Sequence, residues 1–268
     1  MIEPADRNGD EYAVYAILVA RRERAERAEH FYRGHHERSE AMPIAYYVWL
    51  IAGRGRVILV DTGFTPEVGA RRGDRIYVQT PVESLRMLGL EASDVDTVVI
   101  THLHYDHTGF VDAFPGARLM IQRAELDYWS GPMAQRGENP GLVEAGDLDA
   151  IRRLVAEGRA IVIDGEAEVA PGILARLVGG HTAGLQVVAV DHGSGCTVIA
   201  SDASHFFDNI AQDKPYSIVD HLPSMYRAFD WMSQKIGGGG SVIPGHDPVV
   251  LEAYPGVPGL EGVVARLA

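Results

Sequence analysis

A nine-residue segment rich in histidine constrains this chain more than any other feature. Residues 101–109 read Thr-His-Leu-His-Tyr-Asp-His-Thr-Gly and directly follow an apolar, β-branched run at residues 97–100. Such a run is typical of a buried strand. In a segment that is still extended at the strand end, His102 and His104 point to the same side and can bind one cation. Asp106 and His107 follow after a turn, so they can face a second cation.

The donor types in this segment narrow the choice of ion. Imidazole and carboxylate groups together suit zinc or a similar first-row divalent cation, and the set contains no thiolate. We therefore predict two divalent metal ions per chain, with zinc favoured. The single cysteine, Cys196, lies in a Gly-Ser-Gly-Cys-Thr segment that predicts entry into a strand, and we assign it no role.

The remaining pattern predicts strands and helices that alternate along the chain. We expect strands at residues 12–20, 44–52, 56–60, 96–100, 117–121, 160–163, 173–177, 185–190, 197–200 and 241–243. We expect helices at residues 82–90, 147–158 and 223–236, and a hairpin turn at residues 192–195. Strands in both halves with helices between them predict mixed sheets covered by helices, an α/β or α+β layered fold. No linker divides the chain, so we expect one domain over residues 1–268.

Composition excludes several classes of partner. The formal net charge of −13 disfavours nucleic acid, because an acidic surface repels phosphate. Residues 21–27 are rich in arginine but interleaved with glutamate, which predicts a solvated face. A lone cysteine, no basic and apolar leader and no long apolar run predict a cytoplasmic protein without a membrane partner. The sequence leaves a homodimer open.

Three later segments extend the histidine signature. Residues 180–184 read Gly-His-Thr-Ala-Gly, residues 201–204 read Ser-Asp-Ala-Ser, and residues 244–247 read Pro-Gly-His-Asp. Together and in this order, they resemble the motifs of the metallo-β-lactamase superfamily. The resemblance implies a four-layer αββα sandwich with two mixed β-sheets.

The resemblance also implies a role for each motif residue. Asp61, in an Asp-Thr-Gly segment, would support a ligand from behind, although a turn aspartate can equally cap the segment that follows. Five other histidines match no motif, and we expect them to be surface or pocket residues: His30, His35, His36, His192 and His221. The implied metal ligands are His102, His104 and His181 for one ion, Asp106, His107 and His246 for the other, and Asp202 as the bridge between them.

A pair of cations predicts hydrolysis. Two such ions lower the pKa of a bridging water toward 7 and polarise a carbonyl or phosphoryl oxygen beside it. We expect a metal-bridging hydroxide to attack the substrate, with Asp106 or a nearby acid moving the proton, and Asp106 is the first predicted catalytic residue.

The substrate is indicated by the segment around the bridging aspartate. Residues 202–204, together with the Gly-His-Thr-Ala-Gly motif, are similar to the N-acyl-homoserine lactonases of quorum quenching, which implies a small lactone. Those lactonases usually carry a tyrosine at the position of His205, placed to hydrogen-bond the substrate carbonyl or the oxyanion. Imidazole can donate a similar bond, so His205 is the second predicted catalytic residue. The exchange leaves lactones other than N-acyl-homoserine lactone open.

Other functions share the same metal set. A glyoxalase II-like thioesterase remains an alternative, although the sequence has no obvious basic cluster near residue 268 to hold a glutathione tail. A catalytically silent binding member is the second alternative, and the complete ligand set argues against it. We expect residues 128–146, residues 208–221 and the stretch before Met42 to cover the substrate.

Overall fold

The computed structural model describes residues 9–34 and 38–268, so His35 and His36 lie outside the described residues. The strands are β1 (Ala13–Arg22), β2 (Ile44–Gly53), β3 (Arg56–Val60), β4 (Ile76–Tyr77), β5 (Thr97–Val99), β6 (Arg118–Gln122), β7 (Ala160–Ile163), β8 (Glu166–Ala170), β9 (Ile173–Leu177), β10 (Gln186–Asp191), β11 (Cys196–Ser201), β12 (Ser241–Pro244) and β13 (Val264–Arg266). The α-helices are α1 (Pro66–Arg72), α2 (Pro81–Met87), α3 (Tyr105–Thr108), α4 (Arg123–Ser130), α5 (Ala145–Ala156), α6 (Phe207–Ala211), α7 (Leu222–Gly237) and α8 (Val250–Ala253).

The strands form two mixed sheets. The first has eight strands in the order β13-β1-β2-β3-β5-β6-β7, with β4 paired to β1. Its pairs are antiparallel from β13 to β3 and parallel from β3 to β7. The second has five strands in the order β12-β11-β10-β9-β8, and only its β11-β12 pair is parallel.

Alternation along the strands divides the core into layers. Along β1, Val14, Ala16 and Leu18 face a core shared with residues of the second sheet, such as Val188 and Ile199. Their neighbours on β1 face a second core, which contains residues of α2 and α5. A third core joins the outer face of the second sheet to α7. Successive side chains of a strand point to opposite faces, so each sheet has one face on the other sheet and one face on helices. The predicted αββα sandwich is confirmed.

Local sequence signals set several element ends. Thr80 begins α2 with a capping box, since its hydroxyl accepts from the amide of Glu83 and the Glu83 carboxylate accepts from the amide of Thr80. The hydroxyl of Thr65 caps α1 by accepting from the amide of Val68, and both helices have proline at the first position. The glycine run after α7 ends that helix, as predicted.

The sequence identified most strands but few of the helices. The predicted hairpin at residues 192–195 is confirmed, because β10 and β11 pair antiparallel on either side of it. Helices α1 and α4 and strands β8 and β13 were not predicted. Residues 128–146 and 208–221, predicted as loops, contain helical turns: the end of α4, two 3-10 turns, the start of α5 and most of α6. These elements are short, so they carry too few residues for a clear period. Across the described residues, no helix combines the length and apolar character needed to cross a membrane.

The fold collects three predicted ligands and the supporting Asp61 at strand ends. Asp61 follows β3, His102 follows β5, Asp202 follows β11 and His246 follows β12. Strands β3 and β5 run parallel in the first sheet, as do β11 and β12 in the second. Parallel neighbours end at the same sheet edge, so each pair brings its following residues together.

Candidate metal centre

The histidine-rich segment leaves β5 in an extended form and then turns into a helix. His104 is extended, with φ −64° and ψ 151°, and it is the N-cap of α3. Asp106 and His107 lie in the single turn of that helix. The predicted change from an extended segment to a turn is therefore present.

A first group of donors consists of three histidines and one aspartate. His102, His104, His181 and Asp202 are buried, and one ligand atom from each lies within 4.8 Å of the others. The Nδ1 atom of His104 and the Nε2 atom of His181 are 2.9 Å apart. These two nitrogens come from segments 77 residues apart and point at the same small volume.

A second group lies beside the first. Asp106, His107 and His246 have ligand atoms within 4.8 Å of one another. The Nε2 atoms of His107 and His246 lie 3.7 Å and 3.8 Å from Oδ2 of Asp106. The two groups match the two ligand sets that the sequence motifs imply.

Asp202 faces both groups with different oxygen atoms. Its Oδ2 lies 3.1 Å from Nε2 of His181 and 3.6 Å from Nε2 of His102. Its Oδ1 lies 3.0 Å from Nε2 of His246 and 3.3 Å from Nε2 of His107. This is the arrangement that a carboxylate bridging two cations requires.

Hydrogen bonds from the opposite ring nitrogen fix three of the imidazoles. Nδ1 of His246 donates to the carbonyl of Ala45 at 2.8 Å, and Nδ1 of His181 donates to the carbonyl of Ile218 at 3.0 Å. A carbonyl oxygen can only accept, so Nδ1 carries the hydrogen. In the neutral imidazole, Nε2 then presents its lone pair to the centre, which is the tautomer that metal ligands need.

Asp61 fixes the third imidazole. Its Oδ2 accepts from Nδ1 of His107 at 2.7 Å, and its two oxygens also accept from the amide and the hydroxyl of Thr101 at 2.7 Å each. Asp61 has a φ of +60°, a strained conformation that turns its carboxylate under the histidine segment. Asp61 thus supports a predicted ligand from behind, as the resemblance implied.

The buried nitrogens fit a pair of divalent cations. Nε2 of His102 and Nε2 of His107 are buried and have no hydrogen-bond partner within the described part of the chain. Burial lowers the pKa of His102 and His104 well below their usual range, so these rings are neutral at pH 7. Burial opposes a charge on His107 too, but Asp61, Asp106 and Asp202 outweigh it and raise the pKa of His107. Unpaired buried polar atoms are rare, and a cation bound by the lone pairs of these nitrogens and by a carboxylate satisfies them.

His205 lies beside both groups, next to His181 of the first and His246 of the second. The residue is buried, and its Nε2 atom is 2.8 Å from Oδ2 of Asp202. Its ring stacks on Tyr216, which the sequence did not identify. Asp202, His205 and His246 also form a third set of donors within 4.8 Å of one another.

Glu125 is a further residue that the sequence did not identify. It is fully buried on α4 and accepts from the amide of Leu103 at 2.9 Å, the indole of Trp129 at 2.8 Å and the amide of Gly184 at 2.8 Å. It therefore joins the segment of His102 and His104 to the segment of His181. An acidic residue on a short helix gives no sequence signal for such a role.

A cavity of about 170 Å³ opens onto the donors. Leu142 lines it from residues 128–146, and Tyr216 and Ile218 line it from residues 208–221. The stretch before Met42 contacts the second of these segments, since Ser217 donates to the carbonyl of Glu29. All three predicted covering segments therefore lie at or beside the cavity.

Two expectations for the stretch before Met42 were wrong. Arg22 lines the cavity and Arg27 is buried against Phe31, so residues 21–27 are not merely a solvated face. The local balance of charge in this segment gave no indication of its long-range ion pairs, such as the one between Arg27 and Asp208 at 2.8 Å. His30 is fully buried rather than a surface or pocket residue, and its Nε2 atom donates to the carbonyl of Met42 at 2.8 Å.

Comparison with known proteins adds independent evidence. Residues 42–250 match the model of the metallo-beta-lactamase superfamily. An N-acyl homoserine lactonase from Bacillus sp is 26% identical over an alignment of 198 residues, which covers 68% of this chain and 72% of that protein.

Solved structures resemble the fold. One is an N-acyl homoserine lactone hydrolase with N-hexanoyl-L-homoserine bound at its catalytic metal centre; it has a TM-score of 0.75 and 19% identity, and covers 92% of this chain and 98% of its own. Another is AidC, a dizinc quorum-quenching lactonase in a product complex, with a TM-score of 0.64, 20% identity, and coverage of 78% of this chain and 74% of its own.

Proposed function

This chain belongs to the metallo-beta-lactamase superfamily, and from that premise we propose that it is a dinuclear metal hydrolase that opens the ester ring of a small lactone. The observation that carries the hydrolytic proposal is the carboxylate of Asp202, whose two oxygens face two separate groups of histidine nitrogens. The lactone substrate is supported by the relative and the solved structures described as lactonases.

We assign the metal ligands as the sequence motifs imply. The proposed ion is zinc, because imidazole and carboxylate donors suit it and one solved relative is a dizinc lactonase. The assigned ligands are His102, His104 and His181 for one ion, Asp106, His107 and His246 for the second, and Asp202 for both.

In the proposed hydrolysis, the two ions and the side chains have different roles. Two divalent cations in such a site lower the pKa of water toward 7 and polarise the carbonyl oxygen of an ester. A bond forms between the water oxygen and the carbonyl carbon, the ring bond from carbon to oxygen breaks, and the product is a hydroxy acid. Asp106, at the cavity wall, accepts the proton of the attacking water and returns it to the leaving alkoxide. His205, also at the wall, donates a hydrogen bond to the substrate oxygen that becomes negative.

The test is hydrolysis by the zinc-loaded protein across γ-lactones, N-acyl-homoserine lactones, S-lactoylglutathione and a β-lactam. We expect lactone turnover that is lost in His104→Ala, together with metal. His192→Ala is the matched control, because this histidine lies in the turn between β10 and β11, where it contacts Ser194 and Thr197. Turnover of the thioester alone would assign the chain to the glyoxalase II-like alternative. Two bound metals without any turnover would favour a binding role.

A further inference from the structure

The cavity in front of the proposed metal centre has a basic wall. Arg22 from the end of β1, Arg72 from the end of α1 and Arg75 from the segment that follows line it. Their side chains are only 21%, 23% and 16% exposed. Asp106, His205 and other residues of the donor groups also line this cavity.

The carboxylates around these arginines are shared. Asp74 pairs with both Arg22 and Arg75, and Glu144 pairs with both Arg72 and Arg71. Among the described residues, Glu29 pairs with Arg22 alone, at 2.8 Å. The three arginines of the wall are therefore matched by three carboxylates, one of which, Glu144, divides its charge between Arg72 and Arg71 outside the cavity.

Two of these guanidinium groups are held in place by their neighbours. The guanidinium of Arg72 lies 3.4 Å above the ring of Tyr105, and its Nη2 atom donates to the carbonyl of Gly141 at 2.9 Å. Nη2 of Arg75 donates to the hydroxyl of Tyr105 at 3.2 Å. A planar guanidinium that is held in one orientation matches the two oxygens of a carboxylate.

We propose that the substrate carries a carboxylate, which Arg72 and Arg75 bind, with Arg22 beside them, while the ester lies at the metal centre. This rests on the proposed lactone hydrolysis and narrows it to anionic lactones. Three guanidinium groups that line the same cavity as the proposed metal ligands favour a negative group over a neutral aliphatic one.

The experiment compares two substrates with the same ring, 5-oxotetrahydrofuran-2-carboxylate and its carboxamide, with the zinc-loaded protein. We expect kcat/KM for the carboxylate to exceed that for the carboxamide by at least about 10-fold, since a charged hydrogen bond contributes about 1.5–3 kcal/mol. Arg72→Gln and Arg75→Gln are expected to raise KM for the carboxylate about 10- to 100-fold, with a several-fold smaller effect on the carboxamide.

The controls separate charge from folding. Arg71→Gln removes a neighbouring arginine that shares Glu144 but is 59% exposed and outside the cavity, so it leaves both substrates unaffected. Arg72→Lys and Arg75→Lys keep the charge and are expected to retain part of the preference. Equal kcat/KM for the two substrates in the unaltered protein, or equal losses for both in the glutamine variants, would overturn the proposal.

A binding measurement tests the basic wall independently of lactone turnover. Calorimetry with glutarate and glutaramate compares two ligands that differ by one carboxylate. A preference for glutarate that the Arg72→Gln and Arg75→Gln proteins lose supports the carboxylate site even if neither lactone is hydrolysed. Equal affinities for both ligands overturn it, whatever happens to the proposed hydrolysis.

Discussion

The imidazole of His205 lies flat against the phenol ring of Tyr216, with ring centroids 3.3 Å apart and planes inclined by 7°. The stack holds the imidazole in one orientation at the cavity wall, with Nε2 at 2.8 Å from Oδ2 of Asp202. Two roles are compatible with that position. His205 either donates a hydrogen bond to the substrate oxygen, as we propose, or joins Asp202 and His246 as a metal ligand.

The variant His205→Ala distinguishes these two roles. We expect it to keep two metals per chain and to lower kcat about 10²- to 10³-fold with little change in KM, because an oxyanion donor acts mainly in the transition state. The measurements are metal content by mass spectrometry and steady-state kinetics with a lactone.

Tyr216→Phe is the matched control for His205. It keeps the ring that stacks on the imidazole and removes only the phenol hydroxyl, so a loss confined to His205→Ala assigns the effect to the imidazole. A fall to about one metal per chain in His205→Ala would instead identify a ligand and contradict the hydrogen-bonding role.

Asp61 provides a second test, of metal affinity. Asp61→Asn keeps the shape of the side chain but removes the charge that attracts Nδ1 of His107. We expect the affinity for zinc to fall about 10- to 100-fold, since the partner behind a ligating imidazole sets its orientation and basicity. Competition with a chromophoric chelator measures the affinity.

Asp96→Asn is the control for this test. Like Asp61, Asp96 accepts from a backbone amide, that of Val57 at 2.8 Å, in the same sheet. Asp96 precedes β5, however, whereas the histidine segment follows this strand. The Asp96→Asn protein is expected to bind zinc as the unaltered protein does. Unchanged affinity in Asp61→Asn would show that the carboxylate is not needed behind His107.

Glu125 allows a third prediction, on both stability and metal binding. In Glu125→Gln one carboxylate oxygen becomes an NH₂ group, so the amides of Leu103 and Gly184 can no longer both find an acceptor. Burial raises the pKa of Glu125, so the substitution also relieves a desolvation cost. We expect the lost acceptor to outweigh this relief and lower the free energy of unfolding by about 1–3 kcal/mol.

Chemical denaturation and zinc titration measure the effect of Glu125→Gln. The exposed Asp127 lies on the same helix, so Asp127→Asn controls for a change of charge on α4. We expect weaker zinc binding in Glu125→Gln only, because its carboxylate joins the two histidine segments. A variant with unchanged stability and affinity would assign Glu125 no such role.

The sequence could predict the donors that are close together along the chain. His102, His104, Asp106 and His107 lie in one short segment, and a strand followed by a turn is enough to place them. The strands could be predicted as well, since alternating apolar residues such as those of β1 report directly on burial.

The basic wall and Glu125 could not be predicted for a physical reason. Arg22 reaches the cavity because β1 ends beside β4, which brings it to within 2.9 Å of Asp74, a partner 52 residues away. Glu125 depends on α4 packing against two separate histidine segments. The local charge pattern and the composition give no information about such long-range contacts. Motifs that occur in a fixed order along the chain do, because they identify residues that come together in the fold.

Asp147 on α5 gives the last prediction, on the pH dependence of stability. Burial raises the pKa of Asp147 to about 6, although the hydroxyl of Thr108 donates to its Oδ2 at 3.0 Å. The folded protein therefore binds a proton more tightly at this site than the unfolded chain does. The contribution of Asp147 to stability is most favourable below the unfolded pKa near 3.8 and is lost as the pH rises through about 6.

Asp147→Asn removes this titration while keeping an acceptor for Thr108. We expect its free energy of unfolding, relative to the unaltered protein, to increase by about 2 kcal/mol between pH 4 and pH 7.5, since one pKa unit corresponds to about 1.4 kcal/mol. Denaturant unfolding of both proteins in the same excess of zinc at each pH measures this difference, and the exposed Asp149→Asn is the control. A difference that does not vary with pH would mean that Asp147 titrates alike in the folded and unfolded chains, because the remaining groups are common to both proteins.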